Sequence, residues 1–420
     1  MKLETRHSQS GPDERKESVV FTVFCLWSLV LLCRPQDYFT ELEYLHPNLL
    51  LTVLTLILFV FFPQKNQGPS LLAEKQVRYY LALFAIMVVG IPASLYARLS
   101  FNTIFTEYIV FIVYVLIFYK VVDSLEKLLT VLMLGCLGSG LYFIVSLSSG
   151  LTASGRLSYG HMFDPNDLAY FALVFLPLNL LFVGREHPLW IRLSCLTAFS
   201  AGTLLIMLSG SRGGLLAFIA ALLVLFFMTK AVKPSVKLLV LLVGIVLVVN
   251  APINYERYSS ILDYKNDYNS FAEEGRLSIW RIGMRTLSSY PLTGVGVNNS
   301  SYAVALDRER RGLDRVRWQP IHNSVIQIGA ETGVAGLAVF VLMCVGVVRV
   351  FYRVKSTSKD DRLIRTAEMG TVGFVGMLTA AMFLSQAYSV YLAFYVVFSA
   401  SVNRLITREQ LVGQGVHSHG

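Results

Sequence analysis

The run Gln319-Pro320-Ile321-His322-Asn323-Ser324 sets an imidazole where a long polar stretch gives way to an apolar one. An ionisable group beside hydrocarbon is costly unless it is partnered, so His322 calls for a reason. Its ordinary pKa of about 6.5 suits a general base near neutral pH; the competing reading is a structural histidine at an interface. Two arginines add a second kind of chemistry. Arg212 sits in Ser209-Gly210-Ser211-Arg212-Gly213-Gly214, whose small neighbours let a ligand approach closely. Its planar guanidinium matches phosphate oxygens, although a snorkelling arginine at a helix end would look the same. Arg276 opens a candidate helix, where unpaired N–H groups also favour an anion; otherwise it is a plain surface arginine.

Further polar groups interrupt the apolar pattern. Arg156, Asp164 and Asn166 fall in one stretch, 156–167, and are candidate substrate contacts, as is Asn323 beside the histidine. The simplest role for Asp164, Asn166 and Asp167 is to cap a helix starting near Leu168; a metal there lacks a third ligand at suitable spacing. Glu331, flanked by Gly329 and Gly333, reads as a partner for an arginine or a helix-end anchor, and is kept as a candidate substrate contact.

The elements that must carry these residues are hydrophobic. The 420 residues are 55% hydrophobic and 15% charged, with mean hydropathy +0.58, whereas soluble domains run near about 25% charged. Twelve apolar stretches recur, at 19–33, 48–63, 79–97, 102–119, 128–148, 168–183, 190–208, 213–229, 236–250, 324–352, 367–385 and 388–405. Each approaches the ~20 residues needed to cross a bilayer, and in lipid such segments must be helices that satisfy their own backbone. The alternating strands of a membrane barrel are absent from the pattern. The fold expected is an all-α integral membrane protein: one polytopic domain over 1–420, a long, partly helical outer loop at 251–320 inserted before the tenth helix, and a polar tail at 406–420.

Lysine and arginine set the expected orientation. With a cytoplasmic N-terminus, the cytoplasmic segments hold 22 of the 36, the short outer loops 4 and the long loop 10. That asymmetry puts both ends inside and puts His322, Arg212 and the 156–167 segment on the outer, periplasmic face. It also accounts for the net charge of +9 without a nucleic-acid partner. No cleavable signal is evident near the start. The five cysteines lie in or beside apolar stretches without metal-ligand spacing and read as small hydrophobes.

Within 251–320, residues 276–287 place Leu277, Trp280, Met284 and Leu287 on one helical stripe, with Arg281 and Arg285 on a neighbouring face as candidate substrate contacts. The spacing predicts an amphipathic helix lying on the membrane domain. Pro291 ends it, Gly294 and Gly296 suggest a tight turn, and a second helix near 300–311 would stop at Gly312. The run Arg308, Arg310, Arg311, Arg315 and Arg317 is either a solvated face or a dock for phosphates.

Taken in order, Ser209-Gly210-Ser211-Arg212-Gly213-Gly214, Gly275-Arg276-Leu277-Ser278-Ile279-Trp280, Pro291-Leu292-Thr293-Gly294-Val295-Gly296, His322-Asn323 and Glu331-Thr332-Gly333 are similar to the motifs of the O-antigen ligase and O-antigen polymerase superfamily, over about residues 150–345. The resemblance implies a GT-C-like, multi-spanning glycosyltransferase of the bacterial inner membrane with no cofactor. Its donor would be a glycan on polyprenyl pyrophosphate. Arg212 and Arg276 would hold the pyrophosphate, and His322 would be the base or position the acceptor hydroxyl. Asp164-Pro165-Asn166-Asp167 resembles a subset associated with capsule and exopolysaccharide clusters, which tips the expectation towards a polymerase over a ligase acting on lipid A-core or a protein hydroxyl.

The physics agrees with that chemistry. A glycosyl pyrophosphate already has a good leaving group, so what must be supplied is charge stabilisation, about several kcal/mol from preorganised donors. Direct displacement without a metal would invert the anomeric carbon. The partners implied are the lipid-linked donor, a glycan or lipid acceptor, membrane lipids and other polysaccharide-assembly proteins. A secondary transporter or lipid-linked glycan flippase is the rival of another class, and it would gather polar groups near the bilayer midplane. A non-catalytic assembly subunit is a third reading.

Overall fold

The structure, a computed structural model, describes residues 12–62, 69–152, 155–160, 164–230, 232–250, 258, 275–312 and 318–417. Its helices are α1 (Pro12–Cys33), α2 (Pro47–Phe61), α3 (Lys75–Val89), α4 (Ala97–Asn102), α5 (Ile109–Val121), α6 (Leu125–Ser148), α7 (Pro165–Phe175), α8 (Leu189–Leu208), α9 (Arg212–Leu223), α10 (Pro234–Asn250), α11 (Arg276–Ser289), α12 (Ser300–Arg310), α13 (Ser324–Thr357), α14 (Asp361–Ala381) and α15 (Val390–His417). Among the described residues β structure is limited to isolated bridge positions, among them Leu151 paired with Leu157. Helix starts follow local chemistry. Proline occupies the first position of α2, α7 and α10, where a missing N–H costs nothing. Ser124, Asp164, Ser211, Asn323 and Asp360 cap α6, α7, α9, α13 and α14 through their side chains.

Among the described residues, six helices are long and apolar enough to cross a membrane: Lys16–Cys33, Ala97–Val121, Leu125–Ser148, Leu189–Leu208, Ser324–Thr357 and Val390–Leu411. Pro47–Phe61, Pro165–Leu181, Arg212–Met228 and Pro234–Val246 are shorter apolar helices. The described residues are therefore consistent with a multi-pass membrane protein, with half the expected number of full-length spans. Prolines explain part of the difference. The stretch 79–97 stops at Val89 and enters a 3-10 turn through Pro92, and 168–183 passes into a 3-10 turn at Pro177. The stretch set apart as a polar tail begins inside α15, which runs on to His417.

Two helices are buried on nearly every side and organise the rest. Every residue from Leu168 to Phe175 of α7 is buried, as is every residue from Tyr391 to Val402 of α15. A helix apolar all round belongs in the middle of a bundle. Their rings interlock: Phe171 and Phe175 lie 5.5 and 6.3 Å from Tyr391, and Phe175 lies 5.9 Å from Phe394. The five cysteines are buried and unpaired. A second, smaller core of Ile279, Ile282, Val304, Ile321 and Ala330 holds α11 and α12 against the start of α13.

The turn between α11 and α12 is built into α13 rather than lying over it. Gly333 sits at φ +72° and breaks the helical path of α13. Against that break, the Val295 and Gly296 N–H groups donate to the Ala330 and Glu331 carbonyls, and the Val334 N–H donates to the Pro291 carbonyl. Gly294 has φ +65°, and a Cβ there would lie 2.3 Å from the Glu331 carbonyl carbon. The turn expected from the glycines is present, and its tightness comes from this backbone-to-backbone seating.

Candidate functional site

Four segments meet at one end of the bundle. Arg212 is the first residue of α9, behind the Ser211 cap whose Oγ accepts from the Gly214 N–H at 3.0 Å. Gly213 and Gly214 let that helix start press against Phe383 and Ala169, which a Cβ would meet at 2.7 Å in each case. Phe383 also faces Trp280, one turn into α11 from Arg276, with ring centroids 6.3 Å apart. The turn after α14 thus stands between the two arginine-bearing helix starts. The Trp280 Nε1 is buried with no hydrogen-bond partner among the described residues.

His322 precedes the Asn323 cap of α13 and adopts φ +53°. Its N–H donates to Ser385 Oγ at 2.9 Å, which fixes the backbone. Burial pushes its imidazole below the ordinary histidine value; Arg276 adds to that, and Asp164 opposes it. Histidine, an arginine at a helix start and a carboxylate therefore share one electrostatic environment. Asp164 caps α7, accepting from the Asn166 and Asp167 N–H groups at 2.6 and 2.9 Å, as the sequence suggested. Arg156 bridges two segments: its Nε donates to the Ser209 carbonyl at 2.8 Å and its Nη2 to Asn166 Oδ1 at 3.2 Å. His161, Met162 and Phe163 lie outside the described residues.

Several expected substrate contacts are occupied by structural work. Glu331 is buried, and its carboxylate accepts from the Asn298 N–H (2.9 Å), the Ser300 N–H (3.2 Å) and Gln327 Nε2 (3.4 Å). It anchors the start of α12, the helix-end role the sequence offers for it. The Asn323 Oδ1 accepts from the Val325 and Ile326 N–H groups at 3.1 Å each. Arg285 forks onto Asp307, Nε to Oδ1 at 3.1 Å and Nη2 to Oδ2 at 2.7 Å, and so ties α11 to α12. Arg281 is exposed on α11.

The expected stripe of α11 is rotated. Leu277 and Met284 are 37% and 51% exposed, while Ile279, Ile282, Gly283 and Thr286 are buried. The latter set also recurs at helical spacing. It wins because Gly283 lets α11 close on Ile321 and Ile326. Of the arginine run, Arg308 is buried and donates to Gln319 Oε1 at 2.7 Å; Arg315 and Arg317 lie outside the described residues.

Sequence reasoning gives Asp167 only a capping role and passes over Phe383, Ser385 and Gln386. Asp167 lies in the first turn of α7, just ahead of the apolar stretch, and burial followed by Asp164 pushes it up to about 7. Gln386 Nε2 donates to it at 2.8 Å. The signal available was the Ser-Gln pair in the break between two apolar stretches, which reads as an ordinary span boundary.

Comparison with known proteins bears on this constellation. Residues 196–341 match the family model described as O-antigen ligase, a segment that contains Arg212, Arg276 and His322. A protein of Rickettsia bellii named "Putative polysaccharide ligase" is 26% identical over 270 residues, 61% of this chain and 62% of that protein. The match thus spans less than two-thirds of the relative's length. One of Rickettsia conorii bearing the same description is 32% identical over 72 residues, 16% of this chain and 18% of its own. Residues 196–341 of this chain are thus similar to the O-antigen ligase family.

Proposed function

We propose that this chain is a membrane glycosyltransferase that moves a glycan from polyprenyl pyrophosphate to an acceptor hydroxyl during assembly of a bacterial surface polysaccharide. The observation that carries the reading is the gathering of His322, Arg276 and Asp164 in one electrostatic environment, with the Arg212 helix start joined to it through Phe383. By the lysine and arginine asymmetry, this end faces the periplasm and both termini are cytoplasmic. A lipid-linked donor would place its pyrophosphate there at the membrane surface.

In this mechanism the acceptor oxygen attacks the anomeric carbon as the bond to pyrophosphate breaks. The hydroxyl proton passes to the His322 imidazole, which its surroundings keep neutral. The electron pair leaves with the pyrophosphate, whose charge is met by the Arg212 and Arg276 guanidinium groups and the helix N-termini that carry them. Two arginines supply the charge that a divalent cation would otherwise bring, and a single displacement inverts the anomeric centre.

The segment Asp164-Pro165-Asn166-Asp167 supports polymerisation, with another lipid-linked repeat as acceptor. The names of the matched family and of both relatives support ligation. One experiment separates them. Purified protein in liposomes receives polyprenyl-pyrophosphate oligosaccharide from the host, without nucleotide sugar or ATP, and products are sized for wild type and His322→Ala. Longer lipid-linked chains from wild type alone establish a polymerase; transfer only after lipid A-core is added establishes a ligase. No transfer to either defeats the proposal and shifts weight to transport or assembly.

A further inference from the structure

A cavity of about 360 Å3 opens in the segment between α1 and α2, where Arg34, Gln36, Asp37, Glu43, His46 and Asn48 stand beside the apolar Pro47 and Leu49. It falls in the size range of small-molecule sites, about 300–1,000 Å3. Two non-glycine residues on its wall, Arg34 and His46, hold φ values of +50° and +43°. Such conformations cost free energy and cluster where ligands bind. Arg34 is braced in place, its Nε and Nη2 donating to Asp37 at 3.0 and 2.9 Å. The Gln36 Oε1 is buried with no hydrogen-bond partner among the described residues, a group that ordinarily demands one.

The cavity lies at the same end of the bundle as His322. Tyr142 Oη donates to Asp37 Oδ2 at 3.2 Å, and Gly160 passes so near that a Cβ would lie 2.7 Å from that hydroxyl oxygen. From Gly160 the chain leads back to Leu157, whose N–H donates to the Leu208 carbonyl, and to Arg156 on Ser209, three residues from Arg212.

We propose that this cavity is a carbohydrate subsite that holds an uncharged stretch of the acceptor glycan. Two carboxylates against one guanidinium disfavour a phosphate. Amides, carboxylates and an imidazole together offer both donors and acceptors, which suits the dense hydroxyls of a sugar. The inference rests on the transfer reading for the word acceptor, and the test keeps the two apart.

Full-length protein in nanodiscs is titrated by calorimetry with oligosaccharide released from the host's polyprenyl carrier by mild acid, and separately with inorganic pyrophosphate. Wild type should bind the oligosaccharide saturably. Gln36→Leu and Glu43→Ala should each weaken it about tenfold, the scale of one lost hydrogen bond to a buried or charged group, while His322→Ala binds as wild type does. Pyrophosphate should not compete. In transfer assays the two variants should raise the acceptor KM and leave kcat unchanged. Glu43 is exposed, so its variant keeps the test valid if Gln36→Leu fails to fold. Binding unaltered in both variants, or competition by pyrophosphate, overturns the subsite even if transfer is observed; variant-sensitive binding without any transfer would keep the site and sink the transfer reading.

Discussion

Gln386 Nε2 donates to Asp167 Oδ1 at 2.8 Å, fastening the turn between α14 and α15 to the first turn of α7. The neighbouring residue in that turn, Ser385, accepts from the His322 N–H, and the Gln386 N–H donates to Ser324 Oγ at 2.9 Å. Two adjacent residues therefore hold the histidine segment and the Asp164–Asp167 cap in one register. Gln386→Leu leaves the Asp167 carboxylate without that donor and removes the side-chain tie between the turn and α7. Loss of positioning of about 1 Å can cost ~10²-fold in rate, so kcat should fall on that scale while the folded helix content, read by circular dichroism, stays put. A rate within a few-fold of wild type would show that the turn does not position the site.

The state of His322 sets the pH response. Burial first, and Arg276 second, hold its imidazole below the ordinary value of about 6.5, so the neutral base persists into mildly acid solution. Transfer should then decline only as pH falls below that ordinary value. Arg276→Gln removes one depressing cause, and the acid limb should move to higher pH in addition to any loss of rate. The same shift has a stability consequence. Between the lowered folded value and 6.5 the unfolded chain binds more protons than the native one, so stability rises with pH across that window. Thermal unfolding at a series of pH values, with His322→Asn as reference, checks it. Asparagine tolerates the positive φ that His322 adopts, so the comparison isolates the imidazole.

How much of this could be read in the chain differs by element. The Asp164 cap, the helix from Arg276, the Gly294–Gly296 turn and the helix ending ahead of Gly312 follow from short-range chemistry, and the local sequence states them. The face that α11 buries was misjudged, because two stripes with the same period compete and only the close approach at Gly283 selects between them. Asp167 and Gln386 are 219 residues apart, and no local pattern announces such a pair. Six of the twelve apolar stretches form full-length helices among the described residues, and prolines such as Pro92 and Pro177 divide others into shorter pieces.

Arginines that read alike in the sequence should separate in experiment. Arg285 is about half exposed and already forks onto Asp307; an exposed pair of this kind contributes about 0–1 kcal/mol. Arg285→Ala should leave transfer nearly intact, and a double-mutant cycle with Asp307→Ala should show weak coupling in thermal unfolding. Arg212→Ala and Arg276→Ala should each lower kcat about 10²–10³-fold, the scale for removing one preorganised donor to developing charge. Equal, small effects at all three positions would remove the proposed pyrophosphate cradle.

Glu331 lies inside the matched family segment, yet its surroundings assign it to the fold. Its carboxylate accepts from the Asn298 and Ser300 N–H groups, and the next turn of backbone receives Gly296 through the Glu331 carbonyl. Removing the side chain strands these two donors and Gln327 Nε2, at about 1–3 kcal/mol for each group that stays buried. Glu331→Ala should therefore lower the unfolding temperature in detergent, and Glu331→Gln, which keeps an acceptor oxygen, should lower it less. Gly294→Ala should act in the same direction through a different cause, since its Cβ would collide with the Glu331 backbone at a positive φ that alanine adopts only with strain. Activity lost by Glu331→Ala with the unfolding temperature unchanged would reverse the assignment and return the residue to the substrate.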